Sequence, residues 1–249
     1  MRRLLVLVTV VLGLSLAGCS LVSSRLSGSG PTPDEYFEGA AAELAGAIRS
    51  RDAERIARLI DDGADIEATG RHGLTMLQYA VKVSSLPGIT ALLGAGAAPD
   101  RVEDGGESAL HLAVADPVMV EALLAGGADP DVQNPHTGET PVTTVCLAGE
   151  VPALDLLAQA GADLSHRDLL GELAIHTCAR TNQGALILRM LELGVDPLAA
   201  TKRGDTFQEI FFGYNHDILS DRAIEQRRQI VAWLLAHGYP IVPKAERYR

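Results

Sequence analysis

The stretch Gly63-Ala64-Asp65 recurs in four variants further along the chain: Gly96-Ala97-Ala98-Pro99, Gly127-Ala128-Asp129-Pro130, Gly161-Ala162-Asp163 and Gly194-Val195-Asp196-Pro197. The intervals between the first glycines are 33, 31, 34 and 33 residues. A period in this range is typical of stacked units, each of which buries its apolar face against its neighbours. The sequence therefore predicts an array of units rather than a domain with one central core.

A second glycine follows each of these stretches and precedes a predicted helix. It comes ten residues after the first at Gly73, Gly106, Gly171 and Gly204, and eleven residues after it at Gly138. Hydroxyl side chains, which can accept bonds from the free N–H groups of a helix start, follow two residues later. They are Thr75, Ser108, Thr140 and Thr206, whereas Leu173 interrupts the column. Apolar residues at helical spacing then predict two short helices in each unit.

One of these helix starts carries a recognisable signature. Ser108-Ala109-Leu110-His111-Leu112-Ala113 closely resembles the Thr-Pro-Leu-His-x-Ala signature of the ankyrin repeat, and Thr140-Pro141-Val142 and Ala174-Ile175-His176 match it in part. The resemblance implies an all-α ankyrin repeat solenoid of about six helix-turn-helix units with short β-turn fingers, over residues 35–242. We place the helical hairpins at 36–62, 74–95, 107–126, 139–160, 172–193 and 205–237.

The first residues resemble the signal peptide of a bacterial lipoprotein. Arg2 and Arg3 precede an apolar stretch, Leu4 to Leu16, that is too short for an ordinary membrane span. Leu16-Ala17-Gly18-Cys19 matches the lipoprotein box at all four positions. The resemblance implies removal of residues 1–18 and lipid attachment at Cys19, with acyl chains such as palmitate; an ordinary cleaved signal peptide is the alternative.

The same resemblance implies a location on the periplasmic side of the cell envelope, with the lipid anchor as the contact to the membrane. Ser20 stands where an Asp usually retains lipoproteins at the inner membrane, which implies the outer membrane. Residues 19–34 are rich in Ser, Gly and Pro, a composition that predicts a flexible tether. Residues 243–249 are assigned to a C-terminal tail.

The formal net charge of −11 argues against nucleic acid as a partner, because phosphate binding needs clustered Lys and Arg. It favours a basic protein partner. The chain contains no nucleotide loop, no G-x-S-x-G and no H-E-x-x-H motif. We therefore expect a monomeric protein with no catalytic residues, metal site or cofactor.

His111 and His176 occupy the histidine column of the signature. The resemblance implies that their rings make hydrogen bonds between units rather than hold a metal. Cys146 and Cys178 lie in consecutive units. Neighbouring helices pack about 8–10 Å apart, whereas a disulfide needs Cα atoms within about 7 Å, so we expect two buried thiols, with a disulfide as the alternative.

The residues that we expect to contact a partner lie in the turn tips before each second glycine, because the resemblance implies that these fingers line the binding surface. They are Arg71, His72, Arg101, Glu103, Asp104, Gln133, Asn134, His136, His166, Arg167, Lys202 and Arg203. The finger that contains His136 is one residue longer than the others. Solvated turns without a binding role are the alternative.

The last unit is longer than the others and aromatic, with Phe207, Phe211, Phe212, Tyr214 and Trp233. Its segment 205–216 is expected to pack as a C-terminal cap, with an exposed contact patch as the alternative. Proteins similar to this one suggest two binding roles: immunity against a toxin delivered to the periplasm, and an envelope scaffold in peroxide or stress defence. A structural spacer and a hydrolase with an unrecognised site are further alternatives.

Overall fold

The computed structural model describes residues 32–249, which form a stack of helix pairs. The signal peptide, Cys19 and most of the predicted tether lie outside these residues. The helices are α1 (Pro33–Tyr36), α2 (Gly39–Ser50), α3 (Ala53–Asp61), α4 (Met76–Lys82), α5 (Leu86–Gly94), α6 (Ala109–Ala113), α7 (Pro117–Ala125), α8 (Pro141–Ala148), α9 (Val151–Gln159), α10 (Ala174–Arg180), α11 (Gly184–Glu192), α12 (Phe207–Phe211) and α13 (Asp221–Ala236). Each of the six predicted hairpins contains one helix pair.

The predicted cap column explains where three of the inner helices begin. Thr75 Oγ1 accepts a hydrogen bond from the Gln78 N–H, Ser108 Oγ from the His111 N–H, and Thr206 Oγ1 from the Gln208 N–H. Each bond satisfies an N–H group that has no partner inside its own helix. Thr140 makes no such bond, so the prediction holds for three of the four hydroxyl residues.

The helices form two layers. The inner helices α2, α4, α6, α8, α10 and α12 contact one another in that order, and the outer helices α3, α5, α7, α9, α11 and α13 do the same. Leu77, Leu110, Val142 and Ile175 repeat in the inner layer and are all buried. Because the repeated apolar positions join in one continuous core, each unit is stabilised chiefly by its neighbours.

Cys146 and Cys178, which were expected to be free thiols, form a disulfide that joins α8 to α10. Their Cα atoms are 4.7 Å apart. The prediction was wrong because it compared the disulfide limit with the distance between helix axes. Each Cα lies about 2.3 Å from its own axis, so Cα atoms on facing sides of two helices come much closer than the axes do.

The last unit forms a cap, as predicted. Phe207, Phe211 and Phe212 are buried, whereas Tyr214 is exposed. The additional residues form an irregular connection between α12 and α13 that contains the 3-10 helix His216–Ile218. An exposed patch built from these three phenylalanines is therefore ruled out.

The segment 243–249, which was assigned to a tail, is part of the folded cap. It forms the 3-10 helix Pro243–Tyr248, in which Ala245 and Tyr248 are buried. The Tyr248 ring lies 5.7 Å from the Phe212 ring, centroid to centroid, and its hydroxyl is 3.1 Å from His216 Nδ1. The sequence missed this element because six residues are too few to show a helical period.

A buried arginine joins the cap to the preceding unit. Arg227 on α13 is 0% exposed, and its guanidinium lies 4.1 Å from the centre of the Phe211 ring. It donates to the carbonyls of Ala223 and Phe211 and to the Asn182 side chain. Its Nε has no hydrogen-bond partner among residues 32–249, and burial lowers the pKa of its guanidinium.

At the opposite end, α1 packs against α2 of the first unit. Pro33 and Asp34, which were assigned to the tether, belong to α1, and the Phe37 ring packs edge-on at 5.5 Å from the Tyr79 ring. Within residues 32–249, no helix is long and apolar enough to span a membrane.

Candidate protein-binding surface

Five short loops connect the helix pairs and project from the stack. We name them fingers 1 to 5; they comprise residues 68–75, 101–108, 133–140, 166–173 and 199–206. One backbone hydrogen bond closes each finger: from Gly70 N to Leu74 O, Glu103 N to Glu107 O, Asn134 N to Glu139 O, Asp168 N to Glu172 O, and Thr201 N to Asp205 O. The closing bond of finger 3 spans one more residue than the closing bonds of the other fingers. This agrees with the sequence, in which Gly138 follows the first glycine of its unit by eleven residues instead of ten.

The fingers are linked to one another along the whole row. Four bonds join neighbouring tips: Asp104 N to His72 O at 3.2 Å, His136 Nε2 to Asp104 O at 3.2 Å, Leu169 N to Thr137 O at 2.9 Å, and Lys202 Nζ to Leu169 O at 3.0 Å. Each bond has at least one backbone partner. The row is therefore a connected surface in which each finger restricts its neighbours.

Close backbone packing between fingers requires glycine at Gly106. Its φ of +82° lies in the left-handed region, and an added Cβ would come within 2.3 Å of Asn134 Oδ1. The Asn134 side chain in turn donates to Gly105 O at 3.2 Å and accepts from the His136 N–H at 2.9 Å. Asn134 is 8% exposed. We therefore remove Asn134 from the predicted partner contacts, because its amide is used inside the finger row.

Three other predicted contact residues hold the bases of the fingers. Arg101 donates to Glu67 O and to a Glu67 carboxylate oxygen, at 2.8 and 2.5 Å. His166 Nε2 lies 2.8 Å from Gly138 O. Arg167 donates to two carbonyls, Gly171 O at 2.6 Å and Ala200 O at 3.0 Å. Sequence reasoning placed these residues on the surface but could not show that they join one unit to the next.

Burial and charge around fingers 1 and 2 shift the pKa values of two carboxyl groups. Burial raises the pKa of Glu67, but the Ala98 N–H and the Arg101 guanidinium stabilise the carboxylate, and the net shift is downward. The pKa of Glu107 is raised, first by burial and then by the charge of the half-buried Glu103. Because Glu103 is itself half-buried, it is a less accessible contact than its position in a turn suggested.

The remaining predicted residues are exposed. Arg71, His72, Gln133 and Arg203 make no side-chain hydrogen bond or ion pair within residues 32–249, and the Asp104 carboxylate packs against the backbone of finger 1. His136 and Lys202 are exposed and also take part in the row of tip bonds. Arg71 further lines an open groove of about 430 Å³, beside Tyr36 and Glu38.

The inner helices support the fingers from below through one repeated contact. His111 Nδ1 accepts from the Ser108 N–H, and its Nε2 lies 3.3 Å from Glu139 O in the next finger. His176 makes the same pair of contacts with the Leu173 N–H and Ala199 O. The structural role predicted for both histidines is confirmed. Burial is the main cause that lowers the pKa of each ring.

Sequence reasoning missed two exposed leucines at the tip of finger 4. Leu169 is 63% exposed and Leu170 is 70% exposed. The corresponding tip positions of the other fingers are Arg71-His72, Asp104-Gly105, His136-Thr137 and Lys202-Arg203. An apolar pair in a column of polar and glycine residues was the signal that could have revealed this feature.

Within the described residues, no group of three or more His, Cys, Asp or Glu side chains is placed to hold a metal ion. The surface consists of hydrogen-bonded loops with exposed side chains of mixed character. Such a surface is suited to contact another macromolecule over a large area.

Comparisons with known proteins agree with this architecture. Residues 110–201 match the family model for ankyrin repeats (3 copies). Protein PhlB of Serratia liquefaciens is 36% identical over 160 residues, which cover 61% of this chain and 70% of PhlB. The human SH3 and multiple ankyrin repeat domains protein 2 is 32% identical over 133 residues, which cover 52% of this chain but only 7% of that protein.

The crystal structure of the ankyrin repeat domain of Bcl-3 is similar, with a TM-score of 0.64 and 25% identity over 74% of this chain and 81% of that domain. Ankyrin repeats generally mediate protein–protein interactions. The chain belongs to the ankyrin repeat family.

Proposed function

We propose that this protein is a non-catalytic, lipid-anchored binding protein of the periplasm that uses its finger row to hold a protein partner. The observation that carries the proposal is the chain of bonds from His72 to Lys202, which fixes the fingers before any partner arrives. A pre-organised surface loses less conformational entropy on association.

Two observations support the cellular location. Leu16-Ala17-Gly18-Cys19 has the residues of a lipoprotein box, and Ser20 favours the outer membrane over the inner membrane. The disulfide between Cys146 and Cys178 suits an oxidising compartment, because disulfides are rare in the reducing cytosol.

We further propose that the partner is a toxin delivered to the periplasm, which the protein neutralises by covering its active surface. Masking requires a rigid complementary face and no chemistry, and the finger row supplies such a face. The net charge of −11 would assist the capture of a basic toxin at long range.

The second candidate is an envelope scaffold in peroxide or stress defence. One observation favours it: because Cys146 and Cys178 are bonded to each other, residues 32–249 contain no free thiol that peroxide could oxidise. A scaffold that works among oxidants benefits from this property.

Lipid attachment is tested by growing cells with labelled palmitate. The wild-type chain should take up the label and fractionate with the outer membrane. A Cys19→Ala variant should remain unlabelled. Label in both proteins, or in neither, would contradict the anchor.

Partner binding is tested by cross-linking the full chain in envelope fractions. The matched variant changes Arg71, Gln133 and Arg203 to Ala, because these side chains make no contacts that hold the stack. A control changes the exposed Arg222 and Gln229 of outer helix α13. A partner lost only from the finger variant supports the proposal; a toxin identifies immunity, and a catalase identifies stress defence. A partner retained by the finger variant and lost from the α13 variant would refute binding through the fingers.

A further inference from the structure

Finger 4 holds an apolar pair in solvent on a rigid loop. The Leu169 N–H donates to Thr137 O at 2.9 Å, and Leu169 O accepts from Lys202 Nζ at 3.0 Å. Inside the closed finger, the Gly171 N–H also donates to Asp168 O at 2.8 Å. The backbone is therefore bound on both sides, so the leucines cannot fold inward without breaking these bonds.

Exposed leucines at such a site lie outside the core of the stack. Both side chains remain more than half accessible, while the neighbouring Leu173 is 3% exposed and belongs to the core. Apolar side chains fixed within a polar surface are common anchors of protein interfaces.

We propose that Leu169 and Leu170 form the apolar anchor of the binding surface and that they recognise a partner segment with an apolar pocket or stripe bordered by acidic side chains. This inference rests on the proposed function, because it concerns the same finger row, and it adds the chemistry of the partner.

The acidic border follows from the charges around the two leucines. Arg167 and Lys202 donate to carbonyls, and Arg203 makes no side-chain contact; none of the three pairs with a carboxylate within the described residues. Asp168 Oδ1 is occupied by the Glu172 N–H at 2.8 Å. Asp205 is the exposed carboxylate nearest in sequence to Arg203.

Outside the ion pair of Glu172 with Arg180, fingers 4 and 5 therefore carry three cations, Arg167, Lys202 and Arg203, against two carboxylates, Asp168 and Asp205. This local excess of positive charge lies in a chain whose net charge is −11. Complementary charge at the rim of an interface selects the partner and speeds association. At fingers 4 and 5 this selection favours an acidic segment, whereas net charge alone suggested a basic partner. A basic toxin with one acidic, apolar segment would fit both the net charge of the chain and the local charge of fingers 4 and 5.

The test uses a displayed library of random 12-residue peptides and the full chain purified in detergent. Selected peptides should combine acidic residues with Leu, Phe or Trp. Their binding should weaken at least roughly tenfold in the Leu169→Ser/Leu170→Ser variant and roughly threefold in Arg203→Glu, with a smaller effect of Arg203→Glu at high salt.

The matched control is Val118→Ser, which removes an apolar side chain that is 56% exposed on outer helix α7. It should bind the peptides like the wild type, and thermal melts should show that all the variants fold. Peptides that are basic, or that bind the double variant unchanged, would overturn the proposal, and so would a library that yields no binders.

Two further measurements exclude other occupants of the anchor. Self-association that the double variant abolishes would identify a second copy of this chain. Loss of binding to anionic lipid vesicles would identify a membrane surface. Either result would replace the proposal. If peptides bind fingers 1 to 3 and ignore the leucines, the proposed function stands and this inference fails.

Discussion

Removal of the disulfide should destabilise the middle of the stack. The bond closes a loop between residues separated by 32 positions, and both sulfur-bearing side chains are fully buried. In the chain-entropy treatment, closing a loop of this length lowers the entropy of the unfolded chain and raises its free energy by about 3.7 kcal/mol at 25 °C. We therefore expect the Cys146→Ala/Cys178→Ala variant to lose about 3–4 kcal/mol of unfolding free energy.

Urea denaturation of the full chain, followed by circular dichroism, measures this loss. Wild-type protein in reductant should unfold at nearly the same urea concentration as the double variant. The double variant should not respond to reductant. Intact-mass measurement of unreduced and reduced wild-type protein should show a gain of two hydrogens, which demonstrates the bond independently of stability.

A loss below about 1 kcal/mol in both comparisons would refute the loop-closure reasoning. If the mass also failed to change, the two residues would be thiols after all. If the bond were present and the loss small, the unfolded chain would retain contacts between the fourth and fifth helix pairs, and those contacts would already limit its freedom.

Three further predictions concern single residues. Leu110→Ala should cost about 2–5 kcal/mol because it empties a buried site between units; a cost below about 1 kcal/mol in urea melts would contradict stacking there. The pKa of His111 is lowered from its ordinary value of 6.5, so the unfolded chain binds more protons below that pH and stability should fall on acidification. His111→Gln should reduce this pH dependence while keeping the stack, since Gln78 already joins Thr75 to finger 2 in the same column; an unchanged pH profile would contradict it. Arg227→Met keeps the aliphatic stem but removes the donor to the Phe211 carbonyl, and should lower the free energy of unfolding by about 1–3 kcal/mol in urea melts. A more stable variant would show that the cost of burying the guanidinium charge exceeds the stabilisation by its hydrogen bonds.

The helix pairs were predictable because their signals are local and repeat. Each unit carries a turn glycine, a hydroxyl or its substitute at the helix start, and apolar residues such as Leu110 at helical spacing. Because several such signals agree in successive units, they all predict the same fold. Even the irregularities were informative, since the late Gly138 correctly predicted the longer finger 3.

The disulfide and the folded end of the chain were not predictable in the same way. Whether Cys146 reaches Cys178 depends on which faces of α8 and α10 meet, and an average distance between axes does not give that. Tyr248 is buried because Phe212 and His216 happen to surround it, a contact between residues far apart in sequence. Tertiary contacts of this kind have no local signal.

At the candidate site, the contacts of the finger residues were likewise not predictable from the sequence. Arg101 and Arg203 occupy similar turns, yet Arg101 joins two units, whereas the Arg203 side chain makes no hydrogen bond or ion pair within residues 32–249. The row of fingers is held by two bonds between backbone groups and by two bonds from the side chains of His136 and Lys202. The side chains of Leu169 and Leu170 make none of these bonds, so they can vary without breaking the row. That independence makes Leu169 and Leu170 informative, because contact with a partner is the simplest explanation for two exposed apolar side chains outside the core.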